Sequence, residues 1–292
     1  MTMVEYARPA TTAEAIDDLQ SNPEARLIAG GTDLMVQMRL GHRQPTLVVD
    51  TAGLEELHQL DCGPAPVLGA SATLRTLLRE PSLVDRYPAL AQSANLLGGR
   101  QIQAVATFGG NICNASPAAE TATPLLAYGA EAEIAGPDGV RVIPLTDFFK
   151  GPGRTALGRG ELLISLKLPA SAETRRSAYK RLELRRSVDI AIVSASACVD
   201  IVDSCIAHAR VVIGAVNAVP TIVPAAATAL EGVSVENLES VDLREAIRVA
   251  AAACRIASQP IDDTRASAKY RTAMIEVIAE RVLTEALTTK EQ

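Results

Sequence analysis

At 292 residues, with 48% hydrophobic and 21% charged side chains, the chain has the composition of an ordinary soluble protein with room for two or three cores. Its 28 basic and 34 acidic residues give a net charge of −6, without the basic surplus that a nucleic-acid footprint needs. No apolar run reaches membrane-span length, and Met1–Tyr6 has neither the basic nor the apolar region of a signal peptide, so a cytoplasmic location is the expectation.

Thr11-Thr12-Ala13-Glu14 has the form of a capping box, and Ala15, Ile16 and Leu19 supply a helical apolar stripe. Arg26–Ala29 reads as a short strand running into the turn Ala29-Gly30-Gly31-Thr32-Asp33-Leu34. Asp33 is placed to cap a helix carrying Leu34, Met35 and Met38, and Thr46–Val49 is the next strand. Such a strand–turn–helix unit suits a phosphate at the helix start.

Further on, Val67–Ala70 reads as a strand, Thr73 as the N-cap of Leu74–Leu78, and Ala89–Leu97 as another helix. Gln101–Ala106 alternates polar and apolar and leads into a second glycine turn, Thr107-Phe108-Gly109-Gly110-Asn111, which continues as Asn114-Ala115-Ser116-Pro117. Pro124–Tyr128 closes a short helix. Glu131–Ile134, Val140–Ile143 and Leu162–Leu166 alternate as strands, with a hairpin turn at Gly136-Pro137-Asp138-Gly139. Gly151-Pro152-Gly153 then breaks the chain.

In the last part, Ala178–Leu184 is strand-like, and Ile190–Val202 and Cys205–Val216 form a long hairpin joined at Asp203-Ser204. Helices are expected at Pro224–Leu230, Leu243–Ala257 and Ser267–Leu287, the last two with 3.6-residue apolar spacing. An antiparallel sheet covered by helices is the natural product. Thr288–Gln292 reads as loose.

The two glycine turns carry the chemistry. Adjacent glycines let a backbone approach a ligand, and consecutive N–H groups make a concave anion site. Gly30, Gly31, Gly109 and Gly110 would give backbone access to phosphates, Thr32 and Thr107 hydroxyl donors, and Asn111 an amide. Two such turns converging on one pyrophosphate would hold a dinucleotide. Neither turn fits G-x-G-x-x-G or G-x-x-x-x-G-K-S/T. The histidines, His42, His58 and His208, stand in no nucleophile motif and at no metal-ligand spacing. The five cysteines are scattered without a C-x-x-C, and Cys113 reads as a packed thiol under the second turn. No catalytic residue and no metal ligand is expected, which fits a protein whose cofactor does the hard chemistry.

The pattern A-G-G-T-D-L followed by T-x-G-G-N-x-x-x-A-S-P resembles the FAD-binding medium subunit of the molybdenum hydroxylases, the family of xanthine dehydrogenase and aerobic carbon monoxide dehydrogenase. Glu161-Leu162-Leu163, Tyr179-Lys180-Arg181, Arg185-Arg186-Ser187-Val188-Asp189-Ile190-Ala191 and Tyr270-Arg271 extend the resemblance over nearly the whole chain. It implies an α+β flavoprotein: a two-subdomain FAD-binding fold of the PCMH type (1–53 and 54–170), then a C-terminal antiparallel sheet with helices (171–292).

By resemblance, noncovalent FAD contacts Ala29, Gly30, Gly31, Thr32, Asp33, Leu34, Thr107, Gly109, Gly110, Asn111, Ala115 and Ser116. Glu120 stands where the family usually has Asp, on the ribityl or adenine side. Leu97 takes the place of an aromatic ring against the flavin. Leu163 packs on adenine or fills a strand core. Lys180 approaches the polar edge of the ring or is a solvated strand lysine. Phe148 and Phe149 belong to a mobile loop near the flavin or fill a core, and Arg185 and Asp189 tie the C-terminal domain to the flavin domain. The resemblance further implies a large molybdopterin subunit and a small subunit with 2Fe–2S clusters, assembled as a dimer of heterotrimers. Electrons would pass through the clusters to FAD and on to NAD⁺, a quinone, a cytochrome or oxygen. A stand-alone FAD oxidase of related fold is the alternative.

Overall fold

The computed structural model describes residues 4–185 and 188–288. Arg186 and Ser187 of the arginine-rich motif, and the end of the tail expected to be loose, lie outside the described residues.

Near the N-terminus, Glu5–Ala7 and Arg26–Ile28 flank Leu47–Asp50 in a parallel three-stranded sheet. The middle strand is buried along its whole length, as its Val48-Val49 pair requires. Helix Thr12–Ser21 makes the crossover. Thr11 Oγ1 accepts from the Glu14 N–H at 3.2 Å, and the Glu14 carboxylate accepts from the Ala10 N–H at 2.7 Å, one residue further back than in a standard capping box. The second helix, Leu34–Arg39, starts straight from the first glycine turn and buries none of its residues.

The next sheet has five antiparallel strands, ordered Leu60–Asp61, Val67–Gly69, Leu162–Lys167, Glu131–Gly136 and Gly139–Pro144. Short helices from Leu74 to Tyr128 pack on it around Leu68, Leu74, Leu90, Phe108, Leu125 and Phe148. Thr73 caps Leu74–Leu78 through the Thr76 N–H at 3.2 Å. Gln101–Ala106, despite its alternation, begins as a helical turn over Arg100–Gln103. Phe148 and Phe149 are both core residues, meeting edge to face at 5.7 Å.

The C-terminal sheet is antiparallel: Arg175–Leu182, Val193–Val202, Cys205–Gly214 and Thr221–Ile222. Its hairpin turns at Asp203 and Ser204, both at positive φ (48° and 59°), as a right-twisted two-residue connection demands. Helices Pro224–Leu230, Val241–Ala257 and Ala268–Thr288 cover one face. The other face leans on the core of the five-stranded sheet, which it enters with Tyr179, Cys198 and Val212. Val193–Val202 is consequently buried on both faces for most of its length.

Candidate functional site

Between the first two sheets lies a cavity of about 410 Å³ that both glycine turns line. The turns are apposed directly. A Cβ on Gly30 would overlap the carbonyl group of Val105, three residues before Phe108, so the first turn rests on the backbone entering the second. Gly31 sits at φ +67°, in the left-handed region that favours glycine. Gly110 is different: a Cβ there would meet only Thr107 Oγ1, at 2.9 Å.

The two turns differ in what they offer a ligand. In the first, the N–H groups of Gly30, Gly31, Thr32 and Asp33 donate to no protein acceptor among the described residues. Four neighbouring, cavity-lining donors without partners are what an anion cradle requires. In the second, every corresponding N–H is already used. Phe108 N donates to Ala72 O (3.1 Å), Gly109 N to Ala70 O (2.8 Å), Gly110 N to Thr107 Oγ1 (3.0 Å) and Asn111 N to Thr107 O (3.0 Å). The reason is local: Thr107 is an N-cap in extended conformation, and Phe108–Cys113 is a helix, so the glycine pair lies in its first turn. The second turn thus offers close approach at Gly110 and side chains. Asn111 spends its oxygen on Thr121 (2.6 Å to Oγ1, 3.2 Å to N), which leaves its amide N–H groups for a ligand.

A family model described as the FAD binding domain in molybdopterin dehydrogenase matches residues 2–171. The chain belongs to this family of FAD-binding subunits. Residues 177–286 match a second model, the carbon monoxide dehydrogenase flavoprotein C-terminal domain. The FAD-binding chain is 32% identical to the putative xanthine dehydrogenase FAD-binding subunit of Escherichia coli K12, over 97% of this chain and 95% of that one. It is 30% identical to the carbon monoxide dehydrogenase medium chain of Hydrogenophaga pseudoflava, covering 97% and 96%. The solved carbon monoxide dehydrogenase from that organism superposes with a TM-score of 0.91 at 29% identity, covering 97% of this chain and 96% of that one. These relatives are oxidoreductase subunits, and the chain is accordingly an oxidoreductase flavoprotein of medium-subunit type with the mixed α+β fold expected. The unpaired donors of its first turn and the Gly110 approach fit a dinucleotide's diphosphate.

Of the residues singled out in the sequence, the cavity gathers Ala29, Gly30, Gly31, Thr32, Asp33, Leu34, Leu97, Thr107, Gly109, Gly110, Asn111 and Leu163. Ala115, Ser116, Glu120 and Lys180 lie outside its lining. Sequence reasoning passed over Gln37, Arg43, Thr51, Ser71 and Asn114 in that lining. Gln37 Nε2 donates to Asn114 Oδ1 at 3.1 Å, linking the helices that follow the two turns. Its spacing of four from Asp33 puts both on one helix face, a signal that was there to be read. Thr51 and Ser71 share a buried hydroxyl pair at 3.0 Å that no local pattern announces. Cys113 also lines the cavity, and burial pushes its thiol up to about 12, so it stays protonated and unreactive.

Strand register separates Lys180 from the residues beside it. Ser177, Tyr179 and Arg181 face the FAD side, whereas Lys180 pairs with Glu285 of the last helix. Arg181, with its side chain 2% exposed, bridges Glu120 at 2.9 Å and Glu183 at 2.5 Å. The described residues of the Arg185–Asp189 stretch, expected to join the two domains, carry local hydrogen bonds, and Val188 Cγ2 lies 3.9 Å from where a Cβ on Gly99 of the flavin-side domain would stand. Asp189 accepts from the Leu184, Arg185 and Ile190 N–H groups, and Arg185 donates to Val188 O. Contacts that join the two domains include the Glu120–Arg181 pair, Tyr128–Ser177, Tyr179 N to Gln92 Oε1, Ser196–Thr123 and Ala215 N to Pro117 O.

Burial pushes the Glu120 carboxyl from 4.5 up to about 7, with a smaller push from Asp33, outweighing its own backbone N–H and Arg181. The folded protein then holds this proton more tightly than the unfolded chain. The group's stabilising contribution is full below about 4.5 and is lost as pH rises through about 7. Glu120→Gln, which removes the titrating group, is expected to flatten that decline. Urea unfolding across pH checks this; an unchanged pH profile would refute it.

Proposed function

We propose that this chain is the electron-transfer flavoprotein of a multisubunit molybdenum hydroxylase, with FAD held noncovalently in the cavity. The observation that carries the reading is the row of four backbone N–H groups in the cavity lining that donate to no protein acceptor among the described residues, with the apolar Leu57, Leu162 and Leu163 in the same lining. Bound FAD supplies a carrier that takes up and passes on electrons. The chain's own part is to bind and orient it. Gly30 to Asp33 hold the diphosphate by backbone donors, Asn111 adds an amide donor, and Leu163 covers the adenine. Leu97 gives the ring an aliphatic neighbour where some relatives stack an aromatic one. Glu120 and Lys180 lie outside that lining.

The same reading divides the chain at 53/54 and 170/171 and places it in the cytoplasm. Among the described residues no helix is long and apolar enough to cross a membrane. It assigns the 2Fe–2S clusters to a small partner subunit and the molybdopterin cofactor to a large one, in a dimer of heterotrimers. Among the described residues no group of three or more His, Cys, Asp or Glu is placed to hold a metal ion. The rival reading, a stand-alone oxidase, needs an acid–base group over the ring; none of the three histidines lines the cavity, and its carboxylate, Asp33, belongs to the first glycine turn.

An add-back experiment tests the division of labour. The isolated chain is expected to hydroxylate no aldehyde or heterocycle, with turnover appearing only when the large and small subunits are restored. Hydroxylation by this chain alone would overturn the proposal.

A further inference from the structure

Arg271 touches neither glycine turn, yet it is a buried guanidinium, 4% exposed, in the first turn of the helix Ala268–Thr288. Its Nη1 donates to Ile192 O at 2.6 Å and to Ala215 O at 3.0 Å, and its Nη2 pairs with Asp263 Oδ1 at 2.7 Å. Desolvating such a charge is costly, and an apolar side chain of similar size would pack without that cost. What an apolar side chain could not do is hold two carbonyls at once.

Those carbonyls sit at one end of the C-terminal sheet, just before Val193–Val202 and just after Cys205–Gly214. Ala215 is at φ +61°, a left-handed conformation that costs a residue with a Cβ about 1 kcal/mol or more. This turn aims the Ala215 N–H at Pro117 O, 2.8 Å away. Pro117 closes the Asn114–Pro117 segment that follows the second glycine turn. Gly153 N donates to Ala115 O of the same segment at 3.0 Å, and both Gly153 and Asn114 line the cavity.

We infer that Arg271 is a positioning residue for the flavin site: by fixing Ala215 it holds Pro117, and with it the segment that carries Asn114 into the cavity wall. Burial works against the charge on Asp263, but the Arg265 and Ala266 N–H groups and Arg271 itself hold its carboxyl down to about 2, so the anchor is ionised throughout the working pH range. The inference rests on the cavity taking FAD.

The test uses the full-length chain, stripped of flavin and titrated with FAD. Affinity, the visible circular dichroism of the bound flavin and the unfolding temperature of the apo-protein are recorded together. Arg271→Lys keeps the charge but has a single, shorter-reaching nitrogen where Nη1 holds both carbonyls and Nη2 holds Asp263, so it cannot keep all three contacts. It is expected to weaken FAD binding about tenfold and to change the flavin dichroism. Its apo-protein should still unfold in one cooperative transition, at a lower temperature than that of Arg255→Ala, which removes only the surface pair Arg255–Glu276 on the same helices. Wild-type affinity and dichroism would overturn the inference, as would weaker binding with an unaltered dichroism. Should Arg271→Lys fail to fold, Asp263→Asn decides: the same spectral change with weaker binding supports the inference, and unchanged values refute it. A wild-type chain that takes up no FAD defeats the functional reading and this inference together, whereas wild-type binding matched by both variants defeats the inference alone.

Discussion

Gly30→Ala is expected to yield almost no folded, flavin-bearing protein. The added methyl would overlap the Val105 carbonyl group, and that is backbone, which cannot rotate aside as a side chain would. Val105 N and Ala106 N both donate to Ile102 O, so the segment is pinned from the other side. Relief requires the two glycine turns to part, which opens the cavity they share. Overpacking of this kind costs about 3 kcal/mol or more. Urea unfolding and flavin absorbance of the purified variant measure both losses. A variant with wild-type stability and flavin content would mean that the turns are not apposed as described.

Gly110→Val is expected to do the opposite: a large loss of flavin with a small loss of stability. The new Cβ meets only Thr107 Oγ1 inside the protein, and the disturbed N-cap costs about 1 kcal/mol. On its open side it occupies cavity space where the diphosphate would approach. FAD affinity should fall at least about tenfold, equivalent to about 1.4 kcal/mol. Titration of the apo-protein with FAD, beside its unfolding curve, separates the two effects. Full affinity in this variant would remove Gly110 from the binding surface and leave the cradle to the first turn alone.

Much of this was legible because its causes are local. Capping threonines at 11 and 73, the Asp203-Ser204 turn and the helical spacing of the last two helices are written in neighbouring residues. The illegible parts depend on distant partners. Gln101–Ala106 alternates like a strand, yet its first residues join a helical turn, and Gln103 is buried donating to the carbonyls of Asn95 and Leu97. Which of Lys180 and Arg181 turns toward the FAD side depends on what covers each face of the sheet. With both faces covered, the apolar pattern does not say. Likewise a Gly-Gly pair reads as a turn until Thr107 is seen to cap it into a helix, and that capping consumes N–H groups that a bare turn would have offered. Twelve of the sixteen cofactor residues singled out still converge on one cavity, because the glycine motifs that carried the reading also build its walls.

Flavin content tests the central claim most directly. The full-length chain, purified and saturated with FAD, is expected to retain one FAD per chain after gel filtration, and acid precipitation should release all of it to the supernatant. A chain that emerges colourless from saturation with FAD, or one whose flavin stays with the precipitated protein, would contradict the account.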